Sequence, residues 1–184
     1  EKPWGKEIRS CLTAPKGSLL CGADMTSLED TTKRHYMKPY DPRYVEEMSR
    51  KGFDPHLDLA KHAKVITQSD IEKHQRGEID LKALRKDFKV VNYSATYGVG
   101  AAKLSRETGM SVKKAQALLD AYWKRNWSVR AFSDAQKIRK IGEEMWIQNP
   151  VSKFWHSLRY EKDAFSTINQ STGSYCFDKW VAYY

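Results

Sequence analysis

The apolar positions of this chain change period along its length, and each change predicts an element. Leu19, Leu20 and Ala23 fall in a short apolar run after Gly17 and Ser18, and polarity returns abruptly at Asp24. A run of that length behind turn residues predicts a buried strand. Asp54 followed by Pro55 predicts a helix start, because Asp caps well and Pro at the first position forfeits no needed N–H. His56 then falls in the first turn, where free N–H groups and the helix dipole favour an anion. Leu81, Leu84, Phe88 and Val91 recur every three or four residues. They predict a helix over about 80–97 with one buried stripe, stopped at Gly98. Ser111 predicts the cap of a further helix through Trp123, and another is expected over 127–141. Residues 146–148, the turn at Asn149-Pro150, and 154–160 read as a strand pair. Residues 164–184 read as a helix that contains Gly173 and stops without a cap. The order predicts an α+β chain, with a small antiparallel sheet and a mostly helical lobe inserted into it.

The helix over 80–97 carries a second stripe. Arg85, Lys89, Tyr93 and Tyr97 recur every four residues, so each step drifts only ~40° around the axis, and the stripe lies roughly 140° from the apolar one. Guanidinium, ammonium and two phenols in a row suit a ligand with phosphates at one end and flat rings at the other. On spacing alone, a solvated face with paired tyrosines is the favoured reading.

Composition narrows the class. Hydrophobic residues make up 40% of the 184, charged residues 30%, and no run approaches the ~20 apolar residues of a spanning helix. Six Trp, ten Tyr and six Phe argue against disorder. Three widely spaced cysteines, Cys11, Cys21 and Cys176, build neither a disulfide framework nor a zinc site. They point to a reducing compartment, so a cytoplasmic location is expected, in the host cell if the source is viral. The charge is uneven. Net charge is zero over 1–60, +10 over 61–140 and −1 over 141–184. Excess positive charge confined to the middle fits a polyanion, nucleic acid or nucleotide phosphate, and from charge alone equally a well-solvated helical surface.

The series Arg85, Lys89, Tyr93, Tyr97-Gly98 resembles motif B of the family A DNA polymerases, the DNA polymerase I family. Upstream, Asp24-Met25-Thr26-Ser27-Leu28-Glu29 is similar to motif A, with its aspartate and a glutamate five residues on. Asp54-Pro55-His56 is similar to the family's Asp-x-His, and Gln170-Ser171-Thr172-Gly173 to its glutamine-bearing palm helix. The ordered set covers almost the whole chain, and its wording is nearest to the bacteriophage branch. Ser27, Thr31, Lys162 and Ser166 depart from the family pattern.

The resemblance implies a template-directed DNA polymerase that joins a dNTP to a primer 3′-hydroxyl by a two-metal mechanism. Residues 1–28 and 143–184 would be partial palm, and 29–142 fingers. Asp24 and the Met25 carbonyl would bind Mg²⁺, two ions in the complete enzyme. Glu29 would exclude the ribonucleotide 2′-hydroxyl. Arg85, Lys89 and His56 would hold the triphosphate, Lys89 also protonating the departing pyrophosphate. Tyr93 would stack on the incoming nucleotide, Tyr97 and Gly98 would sit beneath the template base, and Gln170 would read the primer–template minor groove. The family's His-Asp-Glu motif has no counterpart before Tyr184. The expectation is therefore a fragment or split subunit, inactive alone and completed by a segment carrying the rest of the palm. The alternatives are a non-catalytic basic helical module that binds nucleic acid, and a fragment of a single-subunit phage-type RNA polymerase.

Overall fold

A computed structural model of the chain describes residues 3–183, with ten α-helices and one three-stranded sheet among them. Two apolar clusters organise these elements. The first joins α2 (Leu28–Met37), α3 (Pro42–Met48), α9 (Trp127–Asp134), the sheet and α10 (Ala164–Val181) around Met37, Phe132, Ile147 and Ile168. The second joins α4 (Pro55–His62), α6 (Lys82–Thr96), α7 (Ala101–Thr108) and α8 (Val112–Arg125) around Leu59, Val91, Leu104 and Tyr122. Trp123 packs against both. Two more helices, α1 (Gly5–Ser10) and α5 (Gln68–Gln75), lie outside these clusters, and α1 buries nothing.

Local rules account for most element ends. Asp54 caps α4, its Oδ1 accepting from the His56 and Leu57 N–H groups at 2.9 and 3.1 Å. Ser111 caps α8 through the Lys114 N–H at 3.3 Å. Helix α6 buries Phe88 and Val91 of the expected stripe, with Leu81 and Leu84 half-buried and Ala95 buried beyond it, and stops where Gly98 takes φ +69°. That left-handed backbone is open to Gly without steric cost.

The sheet runs in order β1 (Ile138–Ile141), β2 (Glu144–Gln148) and β3 (Trp155–Leu158), antiparallel throughout. Strand β1 corrects the helix expected over 127–141, which ends at Asp134. Gly142 at φ +57° opens a two-residue turn that pairs Ile141 with Glu144 and sets Ile138 opposite the buried Ile147. Such a turn suits the twist of the strands, and pairing satisfies backbone groups that a frayed helix end leaves open.

A second correction falls on residues 19–23. They form no strand, and Leu19 and Leu20 are 90% and 72% exposed. No described strand runs alongside them, so their backbone has no ladder to join. The expected strand at the entrance to Asp24 is absent, while the α+β class stands. Helix α10 ends at Val181, and Tyr184 lies outside the described residues.

Buried polar side chains lock α10 to its neighbours. Thr32 Oγ1 donates to Asn169 Oδ1 at 2.8 Å, and Asn169 Nδ2 donates to the Glu29 carbonyl at 3.1 Å. Asn149, fully buried, receives the Val151 and Ser152 N–H groups on its Oδ1 and points its Nδ2 at Thr172 Oγ1, 2.8 Å away. One amide therefore shapes the turn between β2 and β3 and fastens it to α10.

Candidate functional site

A cavity of about 360 Å³ opens where the two clusters meet, lined from one side by α2 and Asn169 of α10 and from the other by α4 and α6. Glu29, His56, Arg85, Lys89 and Tyr93, spread over 65 positions of sequence, all line it. The polar stripe of α6 supplies three of these and the capped start of α4 a fourth. The first turn of α2 supplies Glu29.

Asp54 is the hinge of the arrangement. While its Oδ1 caps α4, its Oδ2 accepts from Arg85 Nε, tying α4 to α6. Burial works against ionising Asp54, but the Arg85 guanidinium and two backbone N–H groups outweigh it and hold the carboxyl below its ordinary value. His56 goes the other way. Burial depresses it to about 4; Asp54 opposes that, and the nearby cations Arg85, Lys89 and Lys33 add to it. At neutral pH it is an uncharged imidazole, 7% exposed, whose Nδ1 has no partner among the described residues. It can offer a hydrogen bond to a ligand but no charge.

Lys89 makes no ion pair among the described residues, and its Nζ lies 5.8 Å from the centroid of the Tyr93 ring. Tyr93 is 38% exposed, its ring 5.8 Å from that of His56 and tilted by 50°. Its phenol is raised first by burial, then by the Glu29 and Asp30 carboxylates. Tyr97 is pushed up to about 12 by burial and by its bond to Glu29, against a lowering bond to Gln170. Glu29, Tyr97 and Gln170 are therefore in mutual reach at the rim, although they come from three helices.

Tyr97 and Gly98 line an adjoining cavity of about 320 Å³ with Tyr93, Lys103 and Lys162. Gln170, exposed, faces a shallow cleft shared with Leu28, Glu29 and Gly173. Asp24 and Met25 stand apart. They lie on the irregular segment before α2, Asp24 exposed, and neither lines the main cavity. No group of three His, Cys, Asp or Glu side chains among the described residues is placed to hold a metal. These residues do not by themselves build the two-ion site that the resemblance implies.

Sequence reasoning missed three participants. Asp54 was legible as a cap but not as the partner of Arg85, because 31 residues separate them. Asn92, on α6, donates to the Pro55 carbonyl at 3.1 Å and holds α4 in place. Lys33 lies one turn beyond Glu29 on α2, and that i, i+4 spacing was an available signal.

The site thus has the form of a pocket lined by cations and aromatic rings. The model of DNA polymerase family A matches residues 1–161. The chain belongs to that family. Among its relatives, it is 26% identical over 166 residues to the thermostable DNA polymerase I of Thermus filiformis, covering 90% of this chain and 18% of that protein. It is 28% identical over 130 residues to DNA polymerase I of Pseudomonas aeruginosa, covering 71% of this chain and 13% of that protein. It is 27% identical over 152 residues to the DNA polymerase of Mycobacterium phage D29, covering 79% and 22%. The chain spans less than a quarter of the length of these relatives. No helix among the described residues is long and apolar enough to cross a membrane.

Proposed function

We propose that this chain is the nucleotide-binding part of a template-directed DNA polymerase, which transfers a nucleotide from a dNTP to a primer 3′-hydroxyl. The observation that carries the reading is the single cavity that gathers Glu29, His56, Arg85, Lys89 and Tyr93 from three helices. Arg85, held by Asp54, and Lys89 grip the triphosphate, and neutral His56 adds a hydrogen bond. Lys89 is also the group that protonates the departing pyrophosphate. Fixed positive charge around a phosphoryl group supplies catalysis through positioning and charge compensation. Tyr93, half open to the cavity, stacks on the sugar and base, and Glu29 occupies the space of a 2′-hydroxyl. Tyr97 and Gly98 lie beneath the template base, and Gln170 reaches the primer–template minor groove. In this reading residues 1–28 and 143–184 belong to the palm, and 29–142 carry the fingers, with α2, α3 and α9 as their packed junction. Asp24 and the Met25 carbonyl are the chain's contribution to divalent-metal binding, and a segment carrying the rest of the palm is its partner.

Equilibrium dNTP binding tests the reading. Arg85→Ala and Lys89→Ala should each weaken binding about 10- to 100-fold, the worth of one hydrogen bond to a charged group. Glu29→Ala should narrow the preference for dATP over ATP while leaving dATP affinity within about threefold, because it empties the gate without touching a phosphate contact. Unchanged dNTP binding in both cation variants would remove the cavity as the nucleotide site.

A further inference from the structure

Lys33 is 5% exposed and lines the main cavity, yet no carboxylate among the described residues pairs with it. A buried ammonium without a counter-ion is costly, and such groups in native proteins are paired or await a ligand. Of the two carboxylates nearest along α2, Asp30 pairs with Arg34 at 3.4 Å, and neither pairs with Lys33.

The hydrogen bonds around Lys33 run in one direction. Its Nζ donates to the Tyr122 hydroxyl at 3.2 Å. Thr96 Oγ1 donates its single proton to the Asn92 carbonyl at 2.9 Å, so in its 2.6 Å contact with Tyr122 it must accept. Tyr122 therefore donates to Thr96 and has a lone pair free for Lys33. The chain of donors runs from Lys33 on α2 through Tyr122 on α8 to α6, and it holds the ammonium while using one of its three N–H groups. The Tyr122 ring, 5.0 Å from Nζ, backs the charge from the apolar side. The remaining N–H groups have no protein acceptor among the described residues, and the same cavity holds the partnerless Nδ1 of His56, whose protonation Lys33 opposes.

We infer that Lys33 is a further anchoring cation of the nucleotide site, donating to the polyphosphate from the α2 side, opposite Arg85 and Lys89 of α6. The inference rests on the nucleotide-binding reading of the cavity and adds to it a residue on another helix. An anion bound between them bridges the two apolar clusters and completes the charge balance that the free protein leaves open. Residue 33 then sets how much of the affinity comes from the polyphosphate rather than from the sugar and base.

The test measures binding of inorganic tripolyphosphate and of a dNTP to the native chain and to Lys33→Met, Lys33→Arg and Lys89→Ala, alongside thermal melts without ligand. Lys33→Met should weaken tripolyphosphate binding about 10- to 100-fold and melt at or above the native temperature, since it removes an unpaired buried charge. Lys33→Arg should keep affinity within about threefold. Native-strength binding by Lys33→Met overturns the inference. So does Lys33→Arg binding as poorly as Lys33→Met, because shape rather than charge is then what matters. If Lys89→Ala loses binding while Lys33→Met keeps it, the nucleotide site stands and only the role of Lys33 falls. If neither loses it, the reading of the cavity falls as well.

Discussion

Asp54 divides its two oxygens between a helix start and a guanidinium, and the two jobs can be separated by substitution. Asn retains the cap but loses the charge, and Ala loses both. A cap is worth about 1 kcal/mol, and a pair as open as this one, with Arg85 at 42% side-chain exposure, adds well under that after solvent screening. Urea unfolding should therefore show Asp54→Ala less stable than Asp54→Asn by about 1 kcal/mol; equal losses would mean that the cap contributes nothing. His56 imposes a pH dependence of definite sign. Burial first, then the surrounding cations, lower its folded value to about 4 from 6.5. The unfolded chain thus takes up a proton below pH 6.5 that the folded chain refuses until about pH 4. Its contribution is full above that window and is lost as pH falls through it. Between pH 7 and 4.5 the native chain should lose about 2–3 kcal/mol more than His56→Gln, by urea midpoints at each pH. Parallel losses would mean that His56 is not desolvated.

At the scale of elements, α6 is amphipathic twice over, with an apolar stripe against α4 and α8 and a cationic one on the cavity. Helix α10 is built differently. It is tied by Asn169, Thr172 and the incoming Asn149 rather than by a clean apolar stripe, and it carries Gly173 in its interior. A Cβ added at Gly173 would meet Leu28 at 3.4 Å, an ordinary contact, and the backbone there is helical. Gly173→Ala should therefore stabilise the chain by about 0.5–1 kcal/mol, the helix-propensity gain of Ala over Gly. Thermal or urea unfolding checks it, and a loss of stability would mean that α2 and α10 pack closer than this.

Across the whole molecule, two apolar clusters leave the cavity at their junction. Of the basic residues in the middle eighty, Arg85 and Lys89 line this cavity. Primed DNA should bind with steep salt dependence, falling at least tenfold between 50 and 200 mM salt if several phosphates are contacted. A flat response would separate the basic segment from nucleic-acid binding. Trp4, Ile8, Leu12, Leu19 and Leu20 are exposed.

Much of this was legible in the residues. Caps and stops are local, so Asp54, Ser111 and Gly98 could be read as element ends from their neighbours alone. The two stripes of α6 followed from the 3.6-residue repeat, and the ordered motifs named the residues that the cavity gathers. Other features depend on what lies beside a segment. Leu19 and Leu20 have strand chemistry but no neighbouring strand, and residues 138–141 left the helix because Gly142 let them pair with β2. Side-chain partners over long separations were equally out of reach. Nothing in the spacing of Asp54 and Arg85, or of Lys33, Tyr122 and Thr96, says that they meet. The sequence by itself determined the starts of α4 and α8, the two stripes of α6 and the α+β class. Only the tertiary structure decided which carboxylate holds Arg85, that His56 is neutral and that no carboxylate among the described residues pairs with Lys33, because desolvation and pairing are properties of surroundings that distant parts of the chain create together.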